Sequence, residues 1–157
     1  MNLYLIRHGI AEEPDVKPDS ERALTGQGRK QLRTAARSLA RAGLTLDVVV
    51  TSPLLRARQT AEIFAQALDL GASQVIESAE LAPDGNPAKL LKDNRWESVA
   101  LVGHEPYLSE LASVLLTGGQ DLVMAFKKGC VCALSADRLR YGRCARLEWL
   151  LQPKLLR

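Results

Sequence analysis

Of 157 residues only two are histidine, His8 and His104. Each stands at the end of an apolar run: Leu3-Tyr4-Leu5-Ile6 leads to Arg7-His8-Gly9, and Val99-Ala100-Leu101-Val102 leads to Gly103-His104. An imidazole titrates near neutral pH, so it can act as a nucleophile or move a proton. Arg7 sets a fixed cation beside His8, and its forked N–H donors suit the oxygens of a phosphate group. Gly9 lets the backbone turn where a side chain would clash. A lone Arg-His-Gly is equally well read as a strand ending in a solvated turn. Two histidines in the same setting, both with arginine chemistry nearby, point to a site.

The elements around these residues must bring them together. Apolar runs of this length read as buried strands, and open α/β sheets place their chemistry beyond the carboxyl ends of such strands. A second strand is expected at 46–51, ending at Ser52-Pro53. Serine followed by proline suits an N-cap and first helical position. The helix expected at 53–68 carries Arg56 and Arg58 in its first turns, where free N–H groups and the helix dipole favour an anion. Arg58 is expected to face solvent. The charged, proline-broken loop at 10–19 should border the site, and Arg22 is a candidate neighbour of it.

The first helix is expected after Thr25 as N-cap, with Leu32, Ala35, Ala36, Leu39 and Ala40 as its buried face and Gly43 as its stop. Arg29, Arg33, Arg37 and Arg41 recur every fourth residue on another face. They read either as a solvated face or as a docking face for an acidic protein. A weak strand at 73–77 and a short helix at 87–92 follow. A helix beginning at Pro106 with Leu108, Leu111, Ala112 and Leu115 inward ends at Gly118-Gly119. Residues 122–151 read as strands, clearest at 130–134 and 145–150, with a hairpin turn at Tyr141-Gly142. Alternating strands and helices give an α/β class: three layers, α/β/α, with a mostly parallel central sheet. No linker or repeat appears, so residues 1–157 are expected to form a single domain.

Composition narrows the class. An apolar fraction of 46% and a charged fraction of 25% are ordinary for a globular protein. No apolar run is long enough to span a bilayer and no signal-peptide pattern is present, so a cytoplasmic protein with no membrane partner is expected. Aromatic residues are 4% and the net charge is +3, which argues against nucleic-acid binding. Cys130, Cys132 and Cys144 are odd in number, which argues for free, buried thiols. No ligand set with metal spacing is evident, so neither a metal nor another cofactor is expected.

Four motifs occur in order: Leu5-Ile6-Arg7-His8-Gly9, Leu24-Thr25 with Gly28, Ser52-Pro53 with Arg56-Ala57 and Gln59-Thr60, and Val102-Gly103-His104. Together they resemble the histidine phosphatase superfamily, whose fold is that of phosphoglycerate mutase. The chain is most similar to small SixA-type phosphohistidine phosphatases. It is short, it has Ile10-Ala11-Glu12 where mutase-like members usually have serine and asparagine, and it carries Glu80-Leu81 with Pro83 and Gly85.

The resemblance implies an enzyme. His8 would attack phosphorus in line and become a phosphohistidine intermediate, with one ring nitrogen unprotonated and the other held as a donor. Arg7, Arg56 and His104 would hold the phosphoryl oxygens, and Gly9, Ser52 and Glu80 would border the substrate. No metal is implied, because fixed cations neutralise the phosphoryl group. The expected substrate is a histidine-phosphorylated phosphotransfer domain or phosphocarrier in signalling. The other reading is a phosphatase of small phosphate esters with Glu80 as general acid, because an alkoxide leaving group benefits from a proton and an imidazole needs it less. A phosphate-binding module without turnover would keep the arginines but would not need a nucleophile.

Overall fold

The computed structural model describes residues 1–92 and 95–156. Its strands are the apolar, β-branched runs, because a strand covered on both faces has no polar side to present. β1 (Asn2–Arg7), β2 (Val48–Thr51), β3 (Val75–Glu77), β4 (Ser98–Gly103), β5 (Val131–Ala136) and β6 (Ala145–Leu151) form one sheet of order β3-β2-β4-β1-β5-β6. The first four strands are parallel, and β5 and β6 pair antiparallel beside β1.

Helices α1 (Gly26–Arg41), α2 (Leu55–Ala67), α3 (Pro87–Leu90) and α4 (Tyr107–Thr117) cover the sheet. The period-two alternation of the strands sorts the core into two halves. Leu3, Leu5, Val99 and Leu101 pack with Leu108, Leu111 and Leu115 of α4. Ile6, Val49, Ala100 and Val102 pack with Leu32 and Ala36 of α1 and with Ala57, Ala61 and Phe64 of α2. This is the expected three-layer α/β/α arrangement with a mostly parallel sheet. Among the described residues no helix is long and apolar enough to cross a membrane. All three cysteines are free, and Cys130 and Cys132 are buried.

Two local expectations are corrected. Residues 122–130 are not strand; β5 begins at Val131. Backbone groups of this segment bond to the end of β1 instead of extending a ladder: Gly129 N–H donates to the carbonyls of Arg7 and His8 at 3.1 and 3.0 Å. Ser52 does not cap α2, whose N-cap position is Leu54. The Ser52 hydroxyl, three residues ahead of Leu55, instead accepts from Leu54 N–H at 3.3 Å.

The entry of α1 sets the shape of the site loop. Thr25 is its N-cap, accepting from Gly28 N–H at 3.0 Å, and Thr25 N–H donates to the Ile10 carbonyl at 2.9 Å. The helix start is thereby pressed against the chain just after Gly9. A Cβ placed on Gly28 would lie 2.2 Å from the Ile10 oxygen, so only glycine fits. This makes a prediction whose sign opposes helix propensity. Alanine in place of a helical glycine ordinarily gains up to about 1 kcal/mol. Here Gly28→Ala is expected to lose about 1–3 kcal/mol through overpacking. Urea unfolding of the two proteins checks it, and a stabilised variant would refute the close approach.

Candidate active site

Three parallel strands end side by side. The register pairs Arg7 with Gly103 across β1 and β4, and Thr51 with Val102 across β2 and β4. The next residues, His8, Ser52 and His104, therefore share one edge of the sheet. His8 N–H donates to the Gly103 carbonyl at 3.0 Å and Ser52 N–H to that of Val102 at 2.9 Å. The two imidazole centroids are 5.2 Å apart, with the rings tilted by 54°.

His8 is buried. Its Nδ1 lies 2.7 Å from the Gly9 carbonyl oxygen. A carbonyl only accepts, so Nδ1 carries the proton and Nε2 holds the lone pair. Arg56 Nε–H donates to that Nε2 at 3.3 Å. Burial pushes the His8 pKa down to about 3. The Gly9 carbonyl opposes the shift, while His104, Arg56 and Arg7 deepen it. At neutral pH the ring is an uncharged base with its lone pair directed at a cation.

Arg56, in the first turn of α2, is 4% exposed. Its Nη1 donates to the Asp19 carbonyl at 2.8 Å, and its Nη2 meets the Asp19 carboxylate at 3.3 Å. Asp19 also pairs with Arg22 at 3.0 Å. Burial would raise the Asp19 pKa, but Arg56 and Arg22 hold its carboxyl below the ordinary value. Arg7 donates from Nη1 to the Phe126 carbonyl at 2.8 Å. His104 Nε2 lies 2.7 Å from Ser52 Oγ. Burial lowers the His104 pKa to about 4, and Arg56 adds to the shift. Arg7 Nε and His104 Nδ1 are buried without a hydrogen-bond partner among the described residues. An oxyanion would supply acceptors for such groups.

The glycine and threonine of the motifs act through packing and backbone. Gly9 N–H donates to Thr60 Oγ1 at 3.2 Å, and Thr60 Oγ1–H donates to the Arg56 carbonyl at 2.8 Å. One hydroxyl thus ties the turn carrying His8 to the helix turn carrying Arg56. A Cβ on Gly9 would come within 2.6 Å of Leu32 Cδ1, so a larger residue here would require the buried Leu32 side chain to shift.

The structure brings together Arg7, His8, Gly9, Ser52, Arg56 and His104. Glu80 is held otherwise. Its carboxylate accepts from Asn86 N–H at 2.7 Å and lies 3.6 Å from Lys89. Among the described residues no hydrogen bond or ion pair joins it to His8, Arg7, Arg56 or His104. Arg58 pairs with Glu77 at 3.6 Å. Arg33, Arg37 and Arg41 are exposed on α1, and Arg29 is half-buried.

Sequence reasoning missed Asp19, the positioning role of Thr60, and the 126–129 segment. Thr60 was visible as the last residue of the Ser52–Thr60 motif. Asp19 opens a single 3₁₀ turn, Asp19–Glu21, too short to show a periodicity that would mark a contact. Among the described residues no group of three histidine, cysteine or acidic side chains is arranged to hold a metal ion.

A neutral, oriented imidazole among arginines at parallel strand ends defines a phosphoryl-handling α/β enzyme. The chain belongs to the histidine phosphatase superfamily (branch 1), whose family model matches residues 3–82. That span includes Arg7, His8 and Arg56 but stops short of His104. The chain is 39% identical over 166 residues to an uncharacterized protein of Picosynechococcus sp., covering 99% of each. It is 28% identical to phosphohistidine phosphatase SixA of Escherichia coli, covering 98% of this chain and 94% of that one. The solved structure of the protein histidine phosphatase SixA complexed with tungstate superposes with a TM-score of 0.84, at 27% identity over 100% of both chains. The chain is a SixA-type member of the superfamily and a hydrolase, a histidine phosphatase.

The low histidine pKa values carry a prediction. In the unfolded chain a histidine titrates near 6.5, whereas the folded values are about 3 for His8 and about 4 for His104. The unfolded state therefore takes up protons that the folded state refuses. Stability is full above about pH 6.5 and falls as pH drops toward 4, by up to about 1.4 kcal/mol per pH unit per histidine. Ring NMR signals should show neither histidine protonating between about pH 8 and pH 5, with His8 as the Nδ1–H tautomer. A midpoint near 6.5 for either would contradict the buried, cation-flanked site.

Proposed function

We propose that this histidine phosphatase removes the phosphoryl group from histidine-phosphorylated signalling proteins, phosphotransfer domains or phosphocarriers in the cytoplasm. It would do so through a covalent phosphohistidine intermediate on His8, with residues 1–157 acting as one domain. The observation that carries this reading is the tautomer of His8: the Gly9 carbonyl occupies Nδ1, and the lone pair of Nε2 is left among Arg7 and Arg56.

In this mechanism Nε2 attacks phosphorus in line, the new N–P bond forms, and the P–N bond to the substrate imidazole breaks. The departing imidazole takes its proton from solvent. Water then attacks the phosphorylated His8 and releases inorganic phosphate. Arg7, Arg56 and His104 donate to the equatorial oxygens, where charge is spread in the transition state. Arg56 Nε–H, which holds Nε2 in the resting site, would pass to a phosphoryl oxygen as the group arrives. Gly9 and Ser52 act as supports: Gly9 anchors the ring, and Ser52 orients His104.

The state of Glu80 favours a phosphohistidine over an ester. Its carboxylate is engaged by Asn86 N–H and Lys89, and among the described residues it makes no hydrogen bond or ion pair to His8, Arg7, Arg56 or His104. An alkoxide leaving group would lack its acid, while an imidazole can leave without one. The names of the SixA relatives support the same substrate class.

A histidine-phosphorylated phosphotransfer domain and a panel of small phosphoesters, offered to the same preparation, test the proposal. Phosphate release from the phosphoprotein is expected to exceed that from any ester by at least about a hundredfold in kcat/KM, in keeping with discrimination by a missing catalytic proton. Equal or faster ester hydrolysis would defeat it. His8→Ala is expected to abolish turnover. Arg56→Ala should lower kcat by about a hundredfold or more, the scale of losing one preorganised oxyanion donor. A chelator should leave the rate unchanged, since the neutralising cations are side chains.

A further inference from the structure

Adjoining the His8 site through Arg7 lies a groove of about 310 Å3. Arg7, Lys127, Lys128, Lys154, Gln31 and Gln152 are among its lining residues. Two segments build its walls. The first, 126–129, is tied to the end of β1 through the Arg7–Phe126 and Gly129 bonds. The second is the short 3₁₀ turn Pro153–Leu155, which packs against α1. Gln152 Nε2–H donates to the Ala125 carbonyl and joins the two. The three lysines are exposed. Among the described residues none of them has an acidic partner.

We infer that this groove binds an acidic polypeptide segment flanking the phosphohistidine of the substrate protein, and so selects which phosphoproteins are used. The inference rests on the phosphohistidine reading of the adjoining site. Charge complementarity identifies the occupant: three ammonium groups without an acidic partner among the described residues share the groove's lining with Arg7. No aromatic ring lines the groove to stack a base.

The arginine row of α1 is not part of it. At 3.6 residues per turn, Arg33 stands about 200° around the helix from Gln31, and Arg37 and Arg41 lie still farther from the groove wall along the helix. Those arginines read as a solvated face.

Labelled unphosphorylated peptides, one acidic and one neutral around a central histidine, test the groove by anisotropy. The acidic peptide is expected to bind the full chain, to weaken when salt rises from about 0.05 to about 0.3 M, and to lose about tenfold with Lys127→Ala, Lys128→Ala and Lys154→Ala combined. Arg33→Ala, Arg37→Ala and Arg41→Ala combined removes the same charge from α1 and should bind as the wild type does. Equal binding by the lysine variant, or equal loss in the arginine variant, would overturn the inference. So would tighter, lysine-dependent binding of a short single-stranded DNA. The phosphorylated forms of the two peptides then give the acidic-to-neutral ratio of kcat/KM, expected to fall about tenfold in the lysine variant. Lysine-dependent binding of the acidic peptide without phosphate release would leave the groove standing and reject the reaction. Phosphate release indifferent to the flanking charge would reject the groove and leave the reaction standing.

Discussion

The register between β1 and β4 is the constraint on which the site depends. Pairing Arg7 with Gly103 sets His8 next to His104, though 95 residues intervene between the two histidines. A slip of one residue would turn Leu3 and Leu5 to the opposite face and expel them from the core packed under α4. The apolar faces of the strands therefore hold the geometry of the candidate site in place. Burial of Leu5, Val102 and Ala100 stabilises the sheet, and the same pairing aligns the ring nitrogens beyond its edge.

Electrostatics at that edge is a balance between burial and cations. Two buried imidazoles are kept neutral because charging either would cost desolvation and add a cation beside arginines. Arg56 is also buried and needs an acceptor, which Asp19 provides through its carbonyl and carboxylate. Asp19 fixes the guanidinium plane and leaves Nε–H for His8. The loop at 10–22 thus contributes to the site through one aspartate, and Thr60 keeps the two halves in step.

Much of this was legible in the chain. The strands around Leu3–Ile6 and Val99–Val102, the cap at Thr25 and the stop at Gly43 follow from local propensity and periodicity. His8, Arg7, Arg56 and His104 stood out because reactive residue types followed apolar runs. Asp19, the Phe126 carbonyl and the fastening of Glu80 did not stand out. Each lies in a connection or a single 3₁₀ turn, and such short stretches carry no period from which a partner can be inferred.

The local pattern of residues sets the elements and the chemistry carried at their ends. Side-chain alternation and caps are local properties, and an arginine or imidazole keeps its chemistry wherever it lies. Which strand lies between which follows from the packing of the whole molecule. The order β2-β4-β1 sets Ser52 beside His104 and His104 beside His8, with Arg56 reaching in from α2. The same packing committed Nδ1 of His8 to a carbonyl, turned Glu80 toward Lys89 and drew 126–129 over Arg7. Sheet order and loop placement depend on burying the core as a whole, and no stretch of chain contains that information alone.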